Sequence, residues 1–325
     1  MKTTYKPIRT ETLSVCQNPP HCLHIESYGN LQGTPVLCVH GGPGGESDCQ
    51  NVLRIGMFNL DRLNVVFFDQ RGCGRSTPFA ECNRNTPFDT VRDMERIRKH
   101  MGWKRFVLFG GSYGTSLILL YTIRYPQRVL RYVLRSVYLM GAVISDQLQQ
   151  TRPLLWKRLQ RTTQQTSLQD ISKTVSHRIR TNHKTKRRCV RDWCALEDSG
   201  LPTMHKKHST SKQRLCVALL EAHYAANRFF LPQSFDLLEE CRKICHIPSL
   251  VVHGDMDVIC PLENARAVYN ALNVNECAHT RLVIVKNGEH SALQRPMRKA
   301  LCKEVSVFLA SLFHDNYASH NSEIP

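Results

Sequence analysis

The 325-residue chain has no uninterrupted apolar run of membrane-spanning length. Its first residues, Met1-Lys2-Thr3-Thr4-Tyr5-Lys6-Pro7, contain no apolar stretch of the kind that drives secretion. Neither a membrane partner nor an export signal is expected, and a cytoplasmic location is. Fourteen cysteines are present, yet no Cys-x-x-Cys pair is followed by a second at zinc-ligand spacing, and Cys241-Arg-Lys-Ile-Cys245 stands alone. His and Asp do not cluster at ligand spacing either, so no metal and no cofactor is expected. Many of the cysteines sit inside apolar runs, as Cys38, Cys216 and Cys302 do, and read as small core hydrophobes of a reducing compartment. Acidic residues are the scarce charge. Against 44 Lys and Arg there are 27 Asp and Glu, leaving a formal charge of +17. That balance favours anionic partners in general and says nothing about fold.

With 42% apolar residues, the chain can bury a large core. Pro35-Val36-Leu37-Cys38-Val39 and Asn64-Val65-Val66-Phe67-Phe68 are too apolar for a one-sided sheet and read as buried strands. An earlier strand is expected over 22–28. Thr86, Pro87 and Asp89 are an N-cap, a first-turn proline and a capping-box acid; they open a helix with Phe88, Val91, Met94, Ile97 and Met101 on one face, closed by Gly102. Further strands are expected at 105–109, 131–138, 249–253 and 281–285. A helix from the elbow to Tyr125, another at 262–272 and a last one at about 297–313 complete the alternation. Between 141 and 240 no buried strand is visible, and helices are expected near 146–160, 167–180 and 211–228.

The fold class is therefore α/β: a mostly parallel central sheet flanked by helices, with a helical cap insertion. Its expected division is a first core part at 1–140, the cap at 141–240 and a second core part at 241–325. The basic run at 176–188 lies in the cap. It has no aromatic interleaving and no nucleic-acid motif, so it reads as a solvated loop, and nucleic acid is not an expected partner.

Chemistry gathers around Val107-Leu108-Phe109-Gly110-Gly111-Ser112-Tyr113-Gly114-Thr115-Ser116. A β-rich run enters Gly-x-Ser-x-Gly and an apolar helical stretch leaves it, the pattern of a nucleophile elbow. A serine hydroxyl is a poor nucleophile near neutrality and needs a base, which in turn needs an orienting carboxylate. In the α/β-hydrolase fold these follow in the order Ser, acid, His. Ser112, Asp257 and His290 occur in that order, each just past an expected strand. Asp255 competes for the acid role, and His40, His253 and His279 compete for the base. Asp257 is preferred because three residues after Gly254 let the chain turn back, and His290 for its order and loop position. Oxyanion donors are expected from the amides of Gly42, in His40-Gly41-Gly42-Pro43-Gly44-Gly45, and of Tyr113. Asp69 and Arg71 are charged groups of a Gly-punctuated turn; a catalytic role is open to them, and bracing of the loop through charge-assisted hydrogen bonds is preferred.

Three stretches together resemble one family. His40-Gly41-Gly42-Pro43-Gly44-Gly45, Phe68-Asp69-Gln70-Arg71-Gly72-Cys73-Gly74-Arg75-Ser76-Thr77-Pro78 and Gly110-Gly111-Ser112-Tyr113-Gly114 are similar to the proline iminopeptidase family of α/β-hydrolase serine peptidases. The likeness runs through about 36–140 and resumes from about 216 to the last helix. It implies removal of N-terminal proline from short peptides by Ser112, Asp257 and His290, with Gly42 and Tyr113 as oxyanion donors. In that family, cap carboxylates hold the substrate's α-ammonium, one of them in Glu-x-His-Tyr-Phe. Glu221-Ala222-His223-Tyr224-Ala225 matches it except at the last position, which makes Glu221 the expected anchor. A second family glutamate follows a tryptophan; here Trp193 is followed by Cys194, with Glu197 or Asp198 as nearby substitutes. These departures leave open an esterase or amidase of the same fold, and a non-enzymatic binding protein that uses its basic cap.

Overall fold

The computed structural model describes residues 4–140, 153–198, 210–274 and 279–320, without the side chains of 196–198 and 314–320. Eight strands form one sheet: β1 (Arg9–Gln17), β2 (Pro20–Gly29), β3 (Thr34–Val39), β4 (Leu63–Phe68), β5 (Phe106–Ser112), β6 (Val129–Val137), β7 (Ser249–Gly254) and β8 (Thr280–Val285). Their order across the sheet is β1-β2-β4-β3-β5-β6-β7-β8. β1 and β2 run antiparallel to their neighbours and the others are parallel.

Helices cover both faces: α1 (Cys49–Arg54), α2 (Pro87–His100), α3 (Tyr113–Arg124), α8 (Leu237–Cys241), α9 (Leu262–Leu272) and α10 (Arg295–His320). Between β6 and β7 lie α4 (Pro153–Thr163), α5 (Leu168–Thr181), α6 (His183–Asp198) and α7 (Ser211–Ala226). Alternation along β5 explains the two-sided core. Phe106 and Leu108 join the cluster under α2, α3 and α9, while Val107 and Phe109 join the cluster under α1 and α10. A third cluster lies in the cap, where Trp156, Ile171, Cys189, Trp193 and Leu219 pack against Cys73 and Cys82 of the core.

Several elements differ from expectation. β1 is not among the expected strands because it is an edge strand with a largely exposed, polar pattern. The basic run 176–188 is not a loop: it ends α5 and begins α6. Cys189 and Trp193, one turn apart, turn inward while Arg187, Arg188 and Arg191 stay exposed. Of the helix expected at 146–160, residues 146–152 lie outside the described residues. α2 opens as read, with Thr86 Oγ1 accepting from the Asp89 amide at 3.1 Å and Asp89 Oδ2 accepting from the Thr86 amide at 3.1 Å.

The sheet order fixes where ligands meet the chain. β3 and β5 are parallel neighbours, while their successors β4 and β6 lie on opposite sides. The loops leaving β3 and β5 therefore diverge, and a crevice opens at the carboxyl edge of the sheet between them.

Candidate active site

β5 enters that crevice and turns into α3 at Ser112, whose φ of 54° and ψ of −133° lie in a region that non-glycine residues rarely adopt. The glycines around it are set by close approach. A Cβ on Gly110 would fall 2.7 Å from Ile118 Cδ1, and one on Gly114 would fall 2.4 Å from the Val39 carbonyl. The loop after β3 packs against the serine so tightly that a Cβ on Gly41 would lie 3.1 Å from Ser112 Cβ and 3.7 Å from its Oγ. Gly42 has a φ of +134°, and its own Cβ would be 2.6 Å from the amides of Gly44 and Gly45. Tyr113 heads α3, so its amide has no intrahelical acceptor. Its ring is fully buried between Tyr138 and Tyr224 at centroid distances of 6.2 and 5.9 Å.

Asp257 and His290 come from the loops after β7 and β8. His290 Nδ1 lies 3.0 Å from Asp257 Oδ2 and 3.1 Å from Oδ1. Oδ1 also accepts from the amides of Ile259 at 3.0 Å and Cys260 at 2.9 Å. Burial works to raise the Asp257 carboxyl, but the imidazole of His290 and the Cys260 amide outweigh it and hold the group down to about 2. Asp255, the competing acid, is exposed beside it. His290 and the two glycines that flank Ser112, Gly41 and Gly111, line one cavity of about 240 Å³.

The other histidines hold backbone together. His40 Nδ1 donates to Gly41 O at 2.7 Å and its Nε2 accepts from the Gln70 amide at 3.0 Å, which joins the loops after β3 and β4. His253 is fully buried; Nε2 donates to Cys260 O at 2.8 Å and Nδ1 accepts from the Val137 amide at 3.0 Å. Both patterns describe a neutral ring, and burial lowers both below the ordinary histidine value. His279 is exposed at the start of β8, the opposite end of the sheet from the crevice.

Asp69 accepts from the amides of Ser47 and Arg75 at 2.8 and 2.9 Å. Arg71 pairs with Asp93 of α2 through two bonds of 2.5 and 2.8 Å. Asp69 thus joins the loops after β3 and β4, and Arg71 ties the latter to α2.

In the cap, Trp193 Nε1 donates to Glu221 Oε2 at 2.8 Å, tying α6 to α7. Cys194 is buried and its thiol donates to Arg214 O at 3.3 Å. The side chains of Glu197 and Asp198 lie outside the described residues. Among the described residues every cysteine is a free thiol, no group of three or more His, Cys, Asp or Glu is disposed to hold a metal ion, and no helix is long and apolar enough to cross a membrane.

Two contacts around the candidate site escape sequence reasoning. Arg135 of β6 donates through Nη1 to His290 O at 2.5 Å, and a Cβ on Gly111 would fall 2.1 Å from its Nη2. The only sequence signal is an arginine within an otherwise buried strand. Gln213 of α7 donates through Nε2 to Glu46 Oε1, joining the cap to the loop after β3.

A family model described as the α/β-hydrolase fold matches residues 34–294. A probable proline iminopeptidase of Leptolyngbya boryana is 30% identical over 89% of this chain and 91% of its own length. The proline iminopeptidase of Xylella fastidiosa strain 9a5c is 31% identical over 82% and 88%, and that of Xanthomonas citri 30% identical over 95% and 100%. Among solved structures, a putative lipase of Acinetobacter baumannii superposes with a TM-score of 0.64 at 17% identity, covering 94% of this chain and 92% of its own. An esterase of a Rhodococcus species superposes with a TM-score of 0.61 at 18% identity, covering 94% and 100%. At such identity these two share the fold alone.

Proposed function

The chain belongs to the proline iminopeptidase family of α/β-hydrolases, and from that premise we propose that it removes N-terminal proline from peptides through an acyl-enzyme on Ser112. The observation that carries the reading is the 3.0 Å contact between Asp257 and His290 beside a strained serine turn. With Nδ1–H committed to Asp257, the lone pair of His290 resides on Nε2, the atom that accepts the Ser112 proton.

Attack of Ser112 Oγ on the prolyl carbonyl carbon forms a tetrahedral oxyanion. The amides of Gly42 and Tyr113 donate to it, each such donor being worth about 3 kcal/mol. His290 then passes its proton to the departing peptide nitrogen, the C–N bond breaks, and a prolyl ester remains on Ser112. Water, deprotonated by His290, attacks the ester. Free proline leaves and the serine regains its proton. No step calls for a cofactor.

Glu221 anchors the substrate's α-ammonium, and the indole of Trp193 fixes its carboxylate. The family's second carboxylate has no equivalent at Cys194.

The test is release of a fluorogenic amine from a prolyl amide by wild type and by Ser112→Ala, with the N-acetylated substrate alongside. Release by wild type alone, and only from the free amine, is expected. Equal rates with and without Ser112 end the reading, and indifference to acetylation turns it toward an esterase or amidase.

A further inference from the structure

Arg135 is a half-buried cation with no ion-pair partner among the described residues. Its guanidinium packs on Gly111 and donates to His290 O, and among the described residues no carboxylate lies within ion-pair distance. Burial pushes the guanidinium below its ordinary value, and chiefly the more distant charge of Asp257 opposes this. A half-buried cation with no carboxylate beside it is a ready partner for an anion. Of its five N–H donors most remain unused.

Those donors lie on a cavity of about 240 Å³. Its location relative to the reaction is fixed by two walls. Gly41 belongs to one, and a Cβ there would be 3.7 Å from Ser112 Oγ. His290 belongs to the other, and His290 is the group that must protonate the departing amine. The cavity thus adjoins both the nucleophile and the base that protonates the departing amine. Val52, Phe67 and Phe109 give it apolar surface. Its volume falls below the roughly 300–1,000 Å³ of sites for drug-sized ligands, and suits one amino-acid residue. Glu46 and Asp48 stand at its exposed end.

We propose that this cavity is the subsite for the residue released after the scissile bond, and that Arg135 takes that residue's terminal carboxylate. The chain then prefers dipeptides with an apolar second residue, and the acidic rim disfavours an acidic one. This inference rests on the peptidase reading above. A guanidinium–carboxylate pair is charge-assisted and bidentate, so it discriminates strongly against a neutral end group.

The experiment compares kcat/KM for Pro-Leu with that for its C-terminal amide, in wild type, Arg135→Gln and Arg135→Lys. Wild type should prefer the free acid by about tenfold or more. The ratio should fall to near one in Arg135→Gln and to an intermediate value in Arg135→Lys, whatever either variant does to the absolute rates. Equal constants for acid and amide in wild type overturn the proposal. If wild type cleaves no prolyl substrate, the peptidase reading itself has failed. The anion site is then read by calorimetry with 4-methylpentanoate. Binding by wild type that Arg135→Gln abolishes supports the site, and no binding by wild type overturns it.

Discussion

Asp257 and His290 face one another across 3.0 Å between Oδ2 and Nδ1, at the ends of two adjacent strands, β7 and β8. The amides of Ile259 and Cys260 fix the carboxylate, so the imidazole is oriented by a rigid group. Asp257→Asn should leave the fold intact and lower kcat by about 10³–10⁴, because an amide no longer selects the productive tautomer. A pH dependence accompanies it. Burial raises the Asp257 carboxyl, yet His290 and the Cys260 amide bring it to about 2, below an unfolded value of about 3.9. A depressed acid stabilises the fold above its unfolded value and loses that contribution as the pH falls through its folded one. Thermal melts should therefore show wild type losing stability more steeply than Asp257→Asn between about pH 4 and pH 2. Parallel curves would contradict the pairing.

Two glycines separate backbone strain from steric contact. Gly102 has a φ of +72° and open space where a Cβ would stand, with nothing within 4 Å, whereas a Cβ on Gly114 would lie 2.4 Å from the Val39 carbonyl and 2.9 Å from that of His40. Gly102→Ala should cost about 1 kcal/mol, the penalty of a left-handed side chain, and leave activity alone. Gly114→Ala should cost about 3 kcal/mol or more and also depress kcat, since it pushes the loop after β3 away from Ser112. Urea melts and steady-state rates on the same two variants check both statements; similar losses in the two would refute the distinction.

The elbow, both glycine loops and the order Ser112, Asp257, His290 are legible in the sequence because each sits at the end of a strongly apolar strand. Local signals of that kind survive without tertiary context. β1 is not legible, since Arg9, Thr10, Glu11 and Thr12 carry the polar pattern of an exposed edge. α6 is hidden for a related reason: its cations dominate the pattern, and only Cys189 and Trp193 mark the buried face. Arg135 fails differently. Its partner His290 is 155 residues away, so no window around β6 says what it reaches. The same holds for Trp193 and Glu221, which meet only because α6 and α7 pack together.

The loop after β4 is held from beneath by a buried ion pair. Arg71 and Asp93 are 2% and 1% exposed, and they share two short bonds. Asp93→Ala should destabilise the protein by about 3 kcal/mol, because it leaves the buried guanidinium only the longer 3.8 Å contact with Asp89 as an ion pair. Replacing both, as Arg71→Met with Asp93→Leu, should cost markedly less than the single change. Chemical denaturation of the three variants measures the coupling, and a double variant as damaged as the single one would show that the charges themselves, and not their pairing, are needed.

Glu221 and Trp193 test how the cap recognises substrate. The indole N–H reaches Glu221 Oε2 at 2.8 Å; on the proposal that Glu221 anchors the substrate amine, the tryptophan acts on that amine only through the carboxylate it orients. Glu221→Gln keeps the shape and removes the charge. It should raise KM for a free prolyl amide by about tenfold or more, while kcat changes little. Trp193→Phe keeps the packing and removes one donor of about 1 kcal/mol, so a KM increase of roughly fivefold is expected in the same direction. The double variant should resemble Glu221→Gln alone, since an indole without its carboxylate has nothing to orient. Additive losses would mean that Trp193 touches substrate directly. A Glu221→Gln enzyme with unchanged KM would move the ammonium anchor to another carboxylate.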